Sequence, residues 1–590
     1  MYLLAGLLVV VFALSGALWL AAALDAALAG GGWPAGATPG SVLTFAWQLF
    51  ISRGDVAGSW HHAEGAGELG PVWLFWVLAV LLLALLIVPV FWLMSRYRAR
   101  KRGSRGAQWA RRDQEKPMVA PEDHTSRRWR LVAGWSELTG RLLAAADCVS
   151  AIVFGPNGSG KTVSYVVANA NEWAGPALIS VVKAPDVEYM LQARRNVGPV
   201  HIFAPTNPPG FVLSRWSPVA YAADEAAAAR MARWLVEAVG IDDPSSRPWM
   251  TQARQFLGPL LLAAHLSDRP GRSGIEALLD FVQRGKQAQE EVRDVLRKAG
   301  AQEFARQYTG VWANLHEEGI GSVMFTTNTI IDPYLNPEIR KSAAGSDFTA
   351  DDIVTKKGTL FIISPPSESK ALGPVCTALL SSIVYAAERE YERINAGRQR
   401  QETVKRWWGL LPSRTRMIPP RPLKDRLLLD LDEAGNVFKY PDLAKLSSTG
   451  RGIGIQLFAI FHDMSQLISM YGENDARTII SQCKARVILP GLADDRTLSY
   501  FSEGFGKTVE YRTSVTVGSD GRGSSTTNDH ETPLIAPWQI QQLEFGHAIV
   551  QYNNLPPIRV RMRNAEKDPR LLALTVPRPK TSTDELENVA

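Results

Sequence analysis

The chain has 590 residues, 46% hydrophobic and 21% charged, values ordinary for a globular protein of about three or four structural units. A net charge of +6 at pH 7 favours anionic partners without naming one. Cys148, Cys376 and Cys483 are far apart and uneven in number, which argues against a disulfide framework or a structural zinc site and fits a reducing cytoplasm.

The first 24 residues, MYLLAGLLVVVFALSGALWLAAAL, are uncharged and long enough to cross ~30 Å of hydrocarbon. A cleaved signal peptide is the competing assignment, but such peptides usually begin with Lys or Arg, and none is present. The second uncharged stretch, Pro71 to Met94, carries Trp73, Trp76 and Trp92 near its ends, where indoles suit a membrane interface, and Pro89 predicts a kink. The flank that follows holds Arg96, Arg98, Arg100, Lys101, Arg102, Arg105, Arg111 and Arg112 without an acid among them. The connecting segment 29–70 is instead Gly-rich, with Asp55, Glu64 and Glu68 against Arg53. The positive-inside bias therefore puts everything after residue 95 in the cytoplasm, and the N-terminus with it. The basic flank also suits anionic lipid. His61 and His62 lack a third metal ligand and are expected to be plain surface residues.

Ala151–Val153 reads as a short buried strand leading into Gly155-Pro156-Asn157-Gly158-Ser159-Gly160-Lys161-Thr162, a full G-x-x-x-x-G-K-[ST] match, followed by the helix-compatible run VSYVVANANEW. Glycines let backbone N–H groups turn onto phosphates, Lys161 reaches the β- and γ-phosphates, and the Thr162 hydroxyl holds Mg²⁺; the implied cofactors are ATP and Mg²⁺. Such an engine needs an acidic strand end. The run from Arg426 to Glu433, RLLLDLDE, supplies it: Asp432 would coordinate the metal and Glu433 would position or deprotonate the attacking water. Asp430 is the rival for the metal, but the two-residue period of the strand and adjacency to Glu433 favour Asp432.

The two motifs stand far apart, so something is inserted between them. Segments such as DEAAAARMARWLVEAVG and WMTQARQFLGPLLLAAHL repeat apolar residues at i, i+3 and i+4, which predicts an all-helical domain over 222–340 within an α/β core. The strand GTLFIISP and the helix ALLSSIVYAAEREYERI follow it.

The chain resembles the conjugative coupling ATPases of type IV secretion systems, the TraG/TraD-like family. The resemblance rests on the two apolar stretches, the GPNGSGKT loop, an edge strand LISVVKAP, the helical insert with Trp249, the DEAGNV turn, and above all Ser447 to Gln456, SSTGRGIGIQ, running into LFAIFHDMSQLISMYG. It implies a RecA-like P-loop core with an inserted helical domain, anchored in the inner membrane by two helices. It further implies a homo-hexamer that moves single-stranded DNA, often with a bound relaxase, into the channel of a type IV secretion system. In that family the arginine matched by Arg451 acts on a neighbouring subunit's nucleotide, consistent with the charge of a guanidinium. The family's sensor glutamine falls on His462 here, and the Asp-x-Lys-Gly pattern after the edge strand is reduced to Ser180 and Lys183.

The expected organisation is a membrane anchor over 1–95 with spans at about 2–24 and 71–94, a basic linker over 96–130, a nucleotide-binding domain over 131–221 and 341–568, the helical domain, and a polar, disordered tail over 569–590. Two segments are candidates to touch DNA. One is the basic stretch around Arg398, Arg400, Lys405, Arg406, Trp407, Trp408, Arg414 and Arg416, which a proline-rich linker fits equally well; the other is TVEYRTSVTVGSDGRGSSTTNDHET, which reads as a hairpin. The alternatives to a conjugative motor are a septal-type double-stranded DNA translocase, for which no winged-helix segment is seen after the core, and a hub that exports protein effectors.

Overall fold

The computed structural model describes residues 2–576 except 31, 35–37, 64–67, 102–105, 207, 209, 240–246, 398–400, 407–410, 435–438 and 518–522. Arg102, Arg105, Arg398, Arg400, Trp407, Trp408, the second half of the DEAGNV turn and the tail beyond 576 thus lie outside the described residues. The chain divides into two units, 1–105 and 106–590.

In the first unit the uncharged stretches form the helices Tyr2–Leu28 and Val72–Lys101, the second running through Pro89. The Gly-rich segment between them, expected as a loop, carries two further helices. Pro39–Ile51 starts at Thr38, whose hydroxyl accepts the Ser41 N–H at 3.1 Å, and Val56–His62 starts at Asp55, which accepts the Gly58 N–H at 3.1 Å. Short capped helices of this kind escape a reading based on composition because two side chains decide them. Their apolar faces close on the long helices through Trp60, whose ring stands 6.0 Å from Trp19 and 5.7 Å from Phe45. His61 and His62 are exposed, as expected. Three helices among the described residues are long and apolar enough to cross a membrane: the two here and Ala371–Asn395, which is largely buried within the second unit as a core helix.

Among the described residues, fifteen strands organise the second unit. In chain order they are β1 (Val132–Ser136), β2 (Leu142–Ala144), β3 (Ala151–Phe154), β4 (Ala177–Val181), β5 (Val200–Phe203), β6 (Thr359–Ile363), β7 (Gln401–Arg406), β8 (Leu411–Met417), β9 (Leu427–Leu431), β10 (Ile455–Phe461), β11 (Ala485–Ile488), β12 (Lys507–Val517), β13 (Gly523–Pro533), β14 (His547–Tyr552) and β15 (Ile558–Arg561). Eleven form one sheet in the order β2-β1-β15-β14-β11-β3-β10-β9-β4-β6-β5. From β11 to β5 every pairing is parallel, and β14, β15, β1 and β2 extend the sheet antiparallel. The strand β4, expected at an edge, is internal, flanked by β9 and β6. All five of its residues are buried, and a continuous apolar run of that kind suits a strand covered on both faces.

Between β5 and β6 the described residues form helices from Glu225–Val239 to Ala350–Thr355 and no strand. Their apolar stripes, including Met231, Phe256, Leu261, Leu278 and Tyr308, belong to the same buried core as Leu178, Leu360 and Leu457 of the sheet. β7–β8 and β12–β13 are separate antiparallel hairpins. The second matches expectation; the first turns half of a segment that a linker fitted equally well into ordered ribbon.

Charge buried behind the sheet fixes the helix that follows the P-loop. Arg194 is fully buried and satisfies the end of helix Val167–Glu172: it donates to Ala170 O at 3.1 Å, to Trp173 O and to Gly175 O at 2.5 Å, and its Nε donates to Thr359 Oγ1 at 2.9 Å. Burial alone pushes its guanidinium pKa down to about 9. At the same helix end, Glu172 pairs with Arg127 at 2.5 Å and Arg563 at 2.9 Å, which joins three chain-distant segments. Arg194→Leu should destabilise the fold by about 3 kcal/mol, because several buried carbonyls lose their donors. Thermal unfolding should show the loss, with Arg194→Lys recovering only part of it, since an ammonium cannot span the same fork.

Candidate functional site

The parallel strands all end on one side of the sheet, where loops meet at their carboxyl ends. β3, fully buried, delivers the loop 155–161 there. Gly158 and Gly160 adopt φ of +80° and +88°, the left-handed region that favours glycine. A side chain at Gly155 would lie 2.7 Å from Ser159 Oγ and 2.8 Å from Leu489 Cβ, so that position too must stay bare. Ser159, itself buried, donates its hydroxyl to Pro156 O at 2.8 Å and holds the turn around Asn157. The helix after Lys161 opens with a π-type turn over Thr162–Val166, a feature that recurs at functional sites.

Lys161 is buried and lies along the loop, its Nζ donating to Gly155 O at 2.9 Å and Pro156 O at 3.0 Å. Burial lowers its pKa, and the nearby charges of Glu433 and Asp432 oppose that. Thr162 Oγ1 donates to Asp432 Oδ2 at 2.9 Å. This contact joins residues 270 apart in sequence and depends on the parallel order β3-β10-β9-β4. The other carboxylate oxygen of Asp432, Oδ1, is buried without a hydrogen-bond partner. Burial pushes this carboxyl up to about 6 against the opposing Thr162 hydrogen bond. A buried carboxylate with one unmatched oxygen beside a threonine hydroxyl fits a hard divalent cation such as Mg²⁺. The glycine-rich loop, bare of side chains at Gly155, Gly158 and Gly160, beside a buried lysine fits a polyphosphate. Asp430 stands inside β9, completely buried with both oxygens unpartnered, and burial raises its pKa well above the usual carboxylate range. Thr162 bonds Asp432 and not this rival.

Glu433 follows directly, with φ of +47°, an uncommon and strained backbone for a non-glycine residue. His462 sits just past β10. The register places Phe461 beside Phe154, and His462 Nδ1 lies 3.3 Å from Lys161 Nζ. Gln466 holds this turn by accepting the His462 N–H at 2.9 Å. The structure therefore gathers Lys161, Thr162, Asp432, Glu433 and His462 at one point.

Arg451 is not among them. It is exposed in the last turn of helix Leu443–Ile453, which ends at Gly454 and feeds the opposite end of β10. Seven residues of strand separate the two ends, roughly 23 Å at about 3.3 Å per residue. Asp186 was not foreseen. It lies in the first turn of the helix Ala184–Arg195 after β4, and burial raises its pKa, with the Glu433 charge adding to the rise and Lys183 opposing it. Its only signal in the sequence is an acid just after a strand and a proline. Ser180, one of the two polar residues left of the family pattern, donates to Asp432 O at 3.4 Å.

The family model described as "Type IV secretory system Conjugative DNA transfer" matches residues 112–403, and the model "TraM recognition site of TraD and TraG" matches residues 426–545. The type IV secretion system-coupling protein VirD4 of Bartonella henselae is 22% identical over 432 residues, covering 69% of this chain and 61% of that protein. A conjugal transfer protein TraG of Escherichia coli is 24% identical over 300 residues, covering 46% of this chain and 43% of that protein. The match to VirD4 thus spans less than two thirds of that relative's length. Among solved structures, the bacterial conjugative coupling protein TrwB superposes with a TM-score of 0.54 at 17% identity, covering 78% of this chain and 93% of the other, and so shares the RecA-like P-loop fold. The two family models occupy most of the chain from 112 to 545, and the chain belongs to the coupling-protein family of type IV secretion systems.

Proposed function

We propose that this chain is a membrane-anchored ATPase that pumps single-stranded DNA, or a relaxase–DNA complex, into a type IV secretion channel. The observation that carries the reading is the convergence of Lys161, Thr162, Asp432 and Glu433 from two strand ends, β3 and β9, with Asp432 Oδ1 left for a cation. The solved TrwB structures include complexes with ADP and Mg²⁺ and with a non-hydrolysable ATP analogue, which supports the same ligands here.

In this reading the amides of 155–162 bind the phosphates and Lys161 swings from its carbonyl partners to neutralise them. Thr162 and Asp432 hold Mg²⁺, whose charge offsets that of the transferring phosphoryl group. Glu433 orients the attacking water and accepts its proton. His462, beside Lys161, senses the terminal phosphate in place of a glutamine. Arg451 is too far to serve its own site and serves that of the next subunit in a ring, for which a hexamer is the expected form. The helices of 222–340 form the inserted domain. The Arg-rich flank after residue 95 puts the ATPase on the cytoplasmic side of a two-pass anchor in the inner membrane.

Charge separates the two candidate DNA elements. The strands of β7–β8 carry Lys405, Arg406, Arg414 and Arg416 against the single acid Glu402. The strands of β12–β13 carry Lys507 and Arg512 against Glu510, Asp529 and Glu531. The first hairpin is the better match to a phosphate backbone. The test is whether single-stranded DNA accelerates hydrolysis by the full chain: acceleration supports a DNA motor, and indifference removes DNA as the driven cargo.

A further inference from the structure

The P-loop ends against two side chains that no role above uses. A methyl group placed on Gly160 would stand 3.1 Å from Met562 Cε and 3.9 Å from Phe545 Cζ. Met562 is nearly buried, whereas Phe545 is 69% exposed although it lies beside the loop. Topology brings them there. β14 runs antiparallel to β11 and β15 antiparallel to β14, so the start of β14 and the end of β15 lie at the same end of the sheet as the P-loop. The Met562 N–H donates to Gly546 O at 2.7 Å, which ties the two segments together.

Their side of the loop decides what they can touch. β11 and β14 lie on one flank of β3, and β10 and β9 on the other. Asp432, Glu433 and His462 gather on the β10–β9 flank. A nucleotide that lies along the row of strand ends, with its terminal phosphate toward those groups, carries its nucleoside end toward the β14 flank, where Phe545 stands. Single exposed apolar residues are common and need no explanation. This one is informative because the tip of an exposed aromatic ring reaches Gly160 on the flank where an aromatic base would emerge.

We propose that Phe545, whose ring borders Gly160 of the loop, is the platform on which the purine base of the bound nucleotide stacks. The inference rests on the nucleotide-site reading above and adds a residue that neither the loop motif nor the acidic strand contains. Stacking would supply affinity through the ring face, with no hydrogen bond to the base edge from either side chain.

The test compares binding of ADP and of inorganic tripolyphosphate to the full chain in detergent, for the unaltered protein, Phe545→Ala, Phe545→Trp and Lys161→Ala. Phe545→Ala should weaken ADP roughly tenfold, the scale of one base–aromatic stack, while tripolyphosphate binding is unchanged. Phe545→Trp should restore ADP affinity. Phe545 is exposed, so its removal leaves no cavity and the variants should fold. Unchanged ADP affinity in Phe545→Ala overturns the proposal, and so does an equal fall for both ligands, which would mark Phe545 as a support of the loop or of a subunit contact. If the unaltered protein binds neither ligand, or Lys161→Ala binds both as well as it does, the nucleotide-site reading itself fails. Binding of both that depends on Lys161 but not on Phe545 removes the base platform alone.

Discussion

Lys161→Ala and Glu433→Gln should each lower ATP hydrolysis by about a thousandfold or more, the scale expected when a group that stabilises or prepares the transition state is lost. The two should differ in how they fail. Lys161 is buried against the loop and near Asp432, so its loss should weaken nucleotide binding as well as turnover. Glu433 stands beyond the Thr162–Asp432 contact, so the amide variant should still bind nucleotide and stall on it. A split between binding and turnover in Glu433→Gln, with both lost in Lys161→Ala, is the expected pattern. Steady-state kinetics together with nucleotide binding would read it. Turnover that persists in both variants would remove the site assignment.

Arg451 offers the second large effect. Its helix feeds the end of β10 away from His462, so within one chain its guanidinium cannot reach the loop that holds Lys161. Arg451→Ala alone should therefore abolish hydrolysis only by depriving a neighbour, with a loss of about a thousandfold. Mixing Arg451→Ala with Lys161→Ala subunits should restore activity, because some interfaces then pair an intact loop with an intact arginine. Recovery should depend on the mixing ratio and be greatest near equal amounts. No recovery at any ratio would count against the action of Arg451 in trans while leaving the nucleotide site untouched.

The parts of this molecule that the sequence made plain are those in which chemistry and local pattern coincide. The P-loop announces itself because glycines, a lysine and a threonine must stand at fixed spacing, and the structure places Gly158 and Gly160 at positive φ. Asp432 was preferred over Asp430, and the Thr162 hydroxyl bonds Asp432. The helical stretch after β5 and the long apolar helices of the first unit follow from periodicity and length. What stayed hidden depends on which strands become neighbours. The all-buried run of β4 was itself a sign of an internal strand, yet only the sheet order shows β9 and β6 on its two sides. Asp186 and Phe545 come to the site through strands whose order no local pattern encodes. The hairpin β7–β8 was obscured by the prolines that follow it, Pro419, Pro420 and Pro422, which mark only where its second strand ends.

A motor that couples ATP hydrolysis to the movement of DNA should respond to its cargo. The most direct measurement is the ATPase rate of the full chain in detergent, with and without single-stranded DNA, across a series of salt concentrations. DNA should stimulate hydrolysis at low salt, and the stimulation should fade steadily as salt rises, because the basic hairpin competes with counterions for the phosphate backbone. Robust hydrolysis that is indifferent to DNA at every salt concentration would contradict a DNA-moving motor.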